Sequence, residues 1–200
     1  MNERKALLLV TMEPRLAAFE EEFNDWYDTE HVPQRLAVPG IENGRRFVNL
    51  SGSPRYAALY DLCSVRVLES DAYRAISGEH STPWSRRVLG RVTGYSRTVA
   101  EQVAPGGAPI GECATLGVII VRVTAQKPDA DAVALFDQLY AAVTDLARLR
   151  VFKAIAADES TYFGIAECLA VSQAAPFDSR IAPAAGFAID SYSVYAPYRR

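Results

Sequence analysis

The chain has 200 residues, half of them hydrophobic and 22% charged, with a formal net charge of −3 and a pI near 5.5. That composition suits one or two small folded domains with a real apolar core. It carries no basic footprint for nucleic acid or an anionic membrane as partner. No apolar run reaches the roughly 18–20 residues needed to cross a bilayer.

Residues 6–12 form a nearly continuous apolar run, the mark of a buried strand. Pro14 then stands where the first turn of a helix tolerates proline. Leu16, Phe19, Phe23, Trp26 and Tyr27 follow at spacings of three and four and predict an amphipathic helix that ends near Pro33, before Pro39-Gly40. Residues 46–50 and 56–65 read as strands, joined by a hairpin turn over Ser51-Gly52-Ser53-Pro54. A helix over 68–76 breaks at Gly78, and a second starts at Ser81 or Thr82 with Pro83 in its first turn. Residues 92–103 read as a strand.

Pro105, Gly106, Gly107, Pro109 and Gly111 make the one clear linker. The pattern then restarts: strand 114–124, helix 129–146, strands 150–156 and 162–171, a short helix at best over 174–182, and strand 186–195. The division is a first half over 1–104, a linker over 105–112 and a second half over 113–200. Weak residue matches support a duplication. Phe23-x-x-Trp26-Tyr27 parallels Phe136-x-x-Leu139-Tyr140, and strands 56–61 and 162–167 each end on an acid, Asp61 and Glu167. The expected fold is α+β: tandem ferredoxin-like βαββαβ repeats forming a dimeric-α/β-barrel-type module within one chain. Pairing the two sheets would bury the face that one half alone exposes.

Cys63, Cys113 and Cys168 are an odd, scattered set in apolar segments, which suggests free thiols in a reducing compartment. With no signal-peptide cleavage pattern at the start, the expected location is cytoplasmic.

Phe23, Tyr27 and His31 are four apart and share the apolar face of the first helix, so His31 projects inward. A partly desolvated histidine suits proton transfer, with Asp28 or Glu30 as candidates to orient it. The plain alternative is a core histidine bonded to a backbone carbonyl. The second half places Thr144 where His31 aligns, so the architecture does not demand a histidine. Around His31, Tyr27, Arg46, Tyr60, His80 and Trp84 are the candidate substrate-binding residues; packing or solvent accounts for each of them as readily. Arg45 or Arg46 could take a carboxylate or phenolate through two parallel bonds. Asp61, in an apolar strand, needs a partner and faces away from Tyr60. No nucleotide loop, zinc-ligand spacing or Gly-x-Ser-x-Gly occurs, and no metal site is expected.

Phe23-x-x-Trp26-Tyr27-Asp28-x-Glu30-His31-x-Pro33, followed by Pro39-Gly40-Ile41 and Arg45-Arg46-Phe47, resembles the EthD-like group of the dimeric α/β barrel superfamily. The resemblance implies a ligand cavity between sheet and helices, in a superfamily of cofactor-free monooxygenases, isomerases, cyclases, decarboxylases and haem-dependent enzymes. The leading expectation is an enzyme with no dissociable cofactor. It would act on an apolar or aromatic oxygenated small molecule by lyase, isomerase, cyclase or cofactor-free oxygenase chemistry. The alternatives are a non-catalytic binding or accessory protein of a degradation pathway and, more weakly, a haem-binding protein. Further pairing into a homodimer stays open.

Overall fold

The computed structural model describes residues 4–50, 52–105, 115–155, 160–170 and 180–199. Strands β1 (Ala6–Pro14), β2 (Ile41–Asn49), β3 (Tyr56–Leu62) and β4 (Val92–Ala104) come from the first half; β5 (Gly117–Ala125), β6 (Leu146–Ala154), β7 (Thr161–Cys168) and β8 (Phe187–Pro197) come from the second. In the first half β1 lies between β3 and β4, with β2 beyond β3. The second half repeats that order, with β5 between β7 and β8 and β6 beyond β7. Antiparallel pairing of β2 with β8 and of β4 with β6 closes the eight strands into one barrel.

Side chains alternate across each strand, and along most of β1, β3, β5 and β7 both faces are covered. One face of β1 and β3 (Leu8, Val10, Met12, Tyr56, Ala58, Tyr60) packs under the first-half helices with Phe23, Trp26 and Tyr27. The other face (Leu7, Leu9, Ala57, Leu59) points into the barrel, where it meets Val118, Ile120, Phe152 and Phe163 from the second half. This double burial is why all seven residues of β3 are buried. It is also why the strands read as continuous apolar runs.

The first helical region departs from its expected course at both ends. Pro14 ends β1, and the helix begins with a 3-10 turn at Ala17–Phe19 before α1 (Glu20–Trp26). It does not stop at Pro33. A π turn over Tyr27–His31 intervenes, closed by Val32 N–H donating to the Tyr27 carbonyl, and α2 (Val32–Leu36) follows with Pro33 in its first turn. Proline there lacks the N–H an α-helix would use, and its ring opposes the carbonyl four residues back. The extra residue of the π turn loosens that ladder and lets the chain continue. Gly40 then turns into β2 with φ of 94°, where a Cβ would lie 2.6 Å from Val67 Cγ2. Only glycine suits that position.

Other boundaries shift. The segment expected as a helix over 68–76 is a 3-10 turn, Val65–Glu69, and a short α3 (Asp71–Arg74). Thr82 caps α4 (Pro83–Leu89) by accepting a bond from Ser85 N–H at 3.0 Å. The helix expected to reach residue 146 is α5 (Ala132–Tyr140), capped by Asp131. Thr144 therefore lies past the helix, and Leu146 already pairs with Cys168 in the sheet. Sheet pairing overrides the helical spacing at that end. The last helix, α6 (Ile181–Ala184), follows a stretch that, like the linker beyond Pro105, residues 156–159 and Cys113, lies outside the described residues. Cys63 is half-buried and Cys168 buried; both are free, and burial pushes the Cys168 thiol up to about 11. Among the described residues no helix is long and apolar enough to cross a membrane.

Candidate functional site

Between the first-half sheet and its helices lies a cavity of about 180 Å3. Leu8, Val10 and Met12 of β1 form its floor, and His31, Arg35, Tyr60, Tyr95 and Arg97 are among its polar walls. The floor is the helix-facing side of β1, so the strand period supplies the apolar part of the site.

The π turn places His31. In an α-helix, residues four apart align most closely. Here the wider turn brings residues five apart together: the rings of Trp26 and His31 have centroids 4.1 Å apart. Tyr27 presents its ring to His31 at 5.0 Å and 70°. Trp26 is itself anchored, its Nε1–H donating to Ser85 Oγ at 3.0 Å. The imidazole is thus held by rings rather than by hydrogen bonds. No described residue bonds to it, and Nδ1 is buried without a partner. Burial, then the positive charges of Arg35 and Arg46, push the His31 pKa well below the usual histidine value. At neutral pH it is an uncharged base. Tyr60, from β3, brings a buried hydroxyl that also lacks a partner, and burial raises its pKa.

The two carboxylates expected to orient His31 are engaged elsewhere. Asp28 Oδ1 accepts from Arg46 Nη1 at 2.5 Å, while Arg46 Nη2 donates to Asn24 at 2.6 Å. The Arg46 guanidinium lies 4.4 Å from the Tyr27 ring centroid and 4.0 Å from that of Tyr198. Arg46 therefore clamps helix to sheet. Glu30 Oε1 accepts from Thr82 Oγ1 at 2.6 Å and Ser85 Oγ at 3.0 Å, tying α4 to the π turn. Tyr27 turns its edge towards His31 and its face to Arg46, and Trp84 packs against the helix-side core from α4. His80 is exposed in the 3-10 turn Gly78–His80, whose Gly78 borders the cavity. Of the candidate residues, the fold gathers His31 and Tyr60 on one cavity, with Tyr27 behind the histidine. Asp28, Glu30 and Arg46 brace the scaffold around it.

Arg35, Tyr95 and Arg97 were not singled out from the sequence. Arg35 continues the four-residue series Phe23, Tyr27, His31 by one more turn, and that spacing was its signal. A lone arginine near a helix end reads first as a solvated partner of the helix dipole. Tyr95 and Arg97 reach the cavity only because β4 pairs with β1.

The acids of the two halves have a different role. Arg150 donates to Asp61 at 2.6 Å and to Glu167 at 2.9 Å. Arg45 and Arg148 also donate to Glu167, at 2.9 and 2.8 Å. Burial raises the Glu167 pKa, but the bonds from Arg45 and Arg148 and the charge of Arg150 outweigh it and hold the group at about 2. The network joins the halves inside the barrel, on the face away from Tyr60.

Among the described residues the helix–sheet space of the second half is filled by side chains instead. There Phe136 lies so close to β7 that a Cβ on Gly164 would be 2.3 Å from its ring. Tyr140 donates to the Gly164 carbonyl at 2.9 Å, whereas the Tyr60 hydroxyl is unpaired. Among the described residues no cluster of three or more His, Cys, Asp or Glu could hold a metal ion.

No family model and no curated protein matches the chain. Solved structures do. An anthrone oxidase-like protein superposes with a TM-score of 0.61 at 13% identity, covering 98% of this chain and 92% of the other. A chlorite dismutase of Candidatus Nitrospira defluvii, with cyanide bound, gives a TM-score of 0.61 at 8% identity over 100% and 92%. A haem-binding protein of Thermus thermophilus gives 0.56 at 8% identity over 98% and 92%. The shared feature is the fold, a closed eight-stranded α/β barrel. At these identities the likeness establishes the barrel and nothing about its chemistry.

Haem, which one of these neighbours binds, does not fit the first-half cavity as it stands. The space of about 180 Å3 is smaller than a tetrapyrrole. The only buried histidine among the described residues is also flanked by Trp26 and Tyr27.

Proposed function

We propose that this dimeric α/β barrel is a small-molecule enzyme of the EthD-like kind, built as tandem ferredoxin-like repeats, whose first half carries the site. The observation that carries the reading is His31: a buried, neutral imidazole without a hydrogen-bond partner, on a cavity shared with an unpartnered tyrosine hydroxyl. A carbonyl compound bound there gives both groups work. His31 takes the proton from carbon beside the carbonyl, and Tyr60 donates a hydrogen bond to the oxygen on which charge develops. Trp26 and Tyr27 hold the base in place, and the apolar floor favours an apolar or aromatic oxygenated substrate. Isomerisation, aldol-type cyclisation and cofactor-free oxygenation begin from such a carbanion or enolate, and decarboxylation forms one as CO2 leaves, to be protonated afterwards. We assign the protein to the cytoplasm and leave it free to pair as a homodimer.

The test is a screen of aryl β-keto acids and phenolic ketones for turnover and for solvent deuterium incorporation beside the carbonyl. His31→Gln should lower both by roughly 10²–10⁴-fold, the usual contribution of a general base. Turnover that survives the substitution overturns the catalytic role. Saturable binding with no turnover by the wild type would favour the alternative, a binding or accessory protein. Haem binding has the Thermus thermophilus neighbour in its favour and the size of the cavity against it. A Soret band in the protein after haem addition would revive it.

A further inference from the structure

Arg35 is 8% exposed, lines the His31 cavity, and has no ion-pair or hydrogen-bond partner among the described residues; its Nη1 is fully buried. A guanidinium does not lose its proton in a protein, so the charge stays. An unpaired buried charge is costly, and the nearby carboxylates do not relieve it. Asp28 is bonded to Arg46, and Glu30 to Thr82 and Ser85. Among the described residues no aspartate or glutamate lines the cavity, while a second cation, Arg97, does. The last carbonyls of α2 offer Arg35 partial negative charge, but none accepts a bond from it. Arg35 lies one helical turn beyond His31, on the same face.

From this juxtaposition we infer that the cavity is an anion-binding subsite: its ligand is an aromatic or apolar acid whose carboxylate, or an equivalent enolate or phenolate oxygen pair, docks on Arg35 with Arg97 at the mouth. The inference deepens the proposed function and rests on its placing of the ligand in the first-half cavity. It narrows the substrate from an oxygenated molecule to an anionic one. It also divides the labour: the arginine end fixes the acid group, and the His31–Tyr60 end faces the carbon to be deprotonated. A guanidinium suits this because its paired N–H groups match two oxygens in one plane.

The test is titration of the full chain with benzoate, salicylate and phenylacetate against the neutral analogue benzamide, read by calorimetry and ligand-observed NMR. At least one of the three acids should bind saturably, and at least ten-fold more tightly than benzamide. Arg35→Gln should weaken that acid at least ten-fold, and Arg35→Lys should recover part of the loss. Circular dichroism and the thermal midpoint show whether each variant folds. His31→Gln should change acid binding by less than about three-fold while abolishing proton transfer, which separates this inference from the catalytic reading. The inference is overturned if no acid binds the wild type, if benzamide binds as well, or if folded Arg35→Lys and Arg35→Gln both bind the acid as the wild type does.

Discussion

Trp26 and His31 lie five residues apart in sequence and 4.1 Å apart between ring centroids, a contact made by the π turn between them. The turn therefore sets the geometry of the site. Its supports are the bonds of Glu30 and Trp26 to Ser85. Ser85→Ala removes a buried acceptor and donor at once, leaving the indole N–H without its partner. It should destabilise the protein by about 1–3 kcal/mol. Trp26 should also loosen, seen as a shift in tryptophan emission relative to Trp84→Phe controls. An unchanged spectrum and urea midpoint would show that Ser85 does not hold the stack.

The depressed pKa of His31 makes stability depend on pH in a definite direction. The folded state keeps the imidazole neutral, whereas the unfolded chain takes a proton below about pH 6.5. Stability is therefore complete above that value and falls as the pH drops below it, by up to about 1.4 kcal/mol per pH unit. Glu167, with its pKa held at about 2, loses its contribution only below the ordinary carboxylate value of 4.5. Urea unfolding between pH 7 and pH 5 isolates the histidine. The slope should be present in the wild type and absent in His31→Gln.

Arg150 sits between two buried acids, Asp61 and Glu167, at matching positions of the two halves. Arg150→Met keeps the apolar stem and leaves Asp61 without its charged partner. The cost should be about 3–5 kcal/mol. In a chain of this length that lowers the thermal midpoint by roughly 6–20 °C. Asp61→Asn together with Arg150→Met should recover part of the loss, because the uncompensated charge has gone. Equal midpoints for the single and double variants would refute a charge origin.

Gly164 lets Phe136 pack directly against β7 in the second half. An added methyl meets the Phe136 ring at 2.3 Å, so Gly164→Ala should destabilise by about 1–3 kcal/mol through overpacking. Benzoate binding in the first-half cavity should stay within about two-fold of wild type, as the two helix–sheet cores are separate. A large loss of binding would place part of the ligand in the second half.

By itself the sequence determined the succession of strands and helices along the chain, because apolar runs and turn residues are legible without a structure. β1, β3, β4 and α4 with its Thr82 cap follow directly from such local signals. It also marked His31 and Tyr60, since a histidine on an apolar helix face and a tyrosine on an apolar strand stand out from their neighbours. It pointed to Asp61 as an acid in need of a partner and to Glu167 as its match in the second half, but could not name Arg150, because that pairing spans 89 residues for Asp61. Tertiary structure alone decided which polar groups converge. Asp28 and Glu30 lie within three residues of His31 in sequence, yet the π turn and the packing of α4 direct them to Arg46 and Ser85. Arg35, whose residue type at a helix end suggests solvent, became the buried cation of the cavity because β1 and β4 close beneath it. Sequence spacing fixes which way a side chain leaves its own element; what it meets there depends on elements far away in the chain.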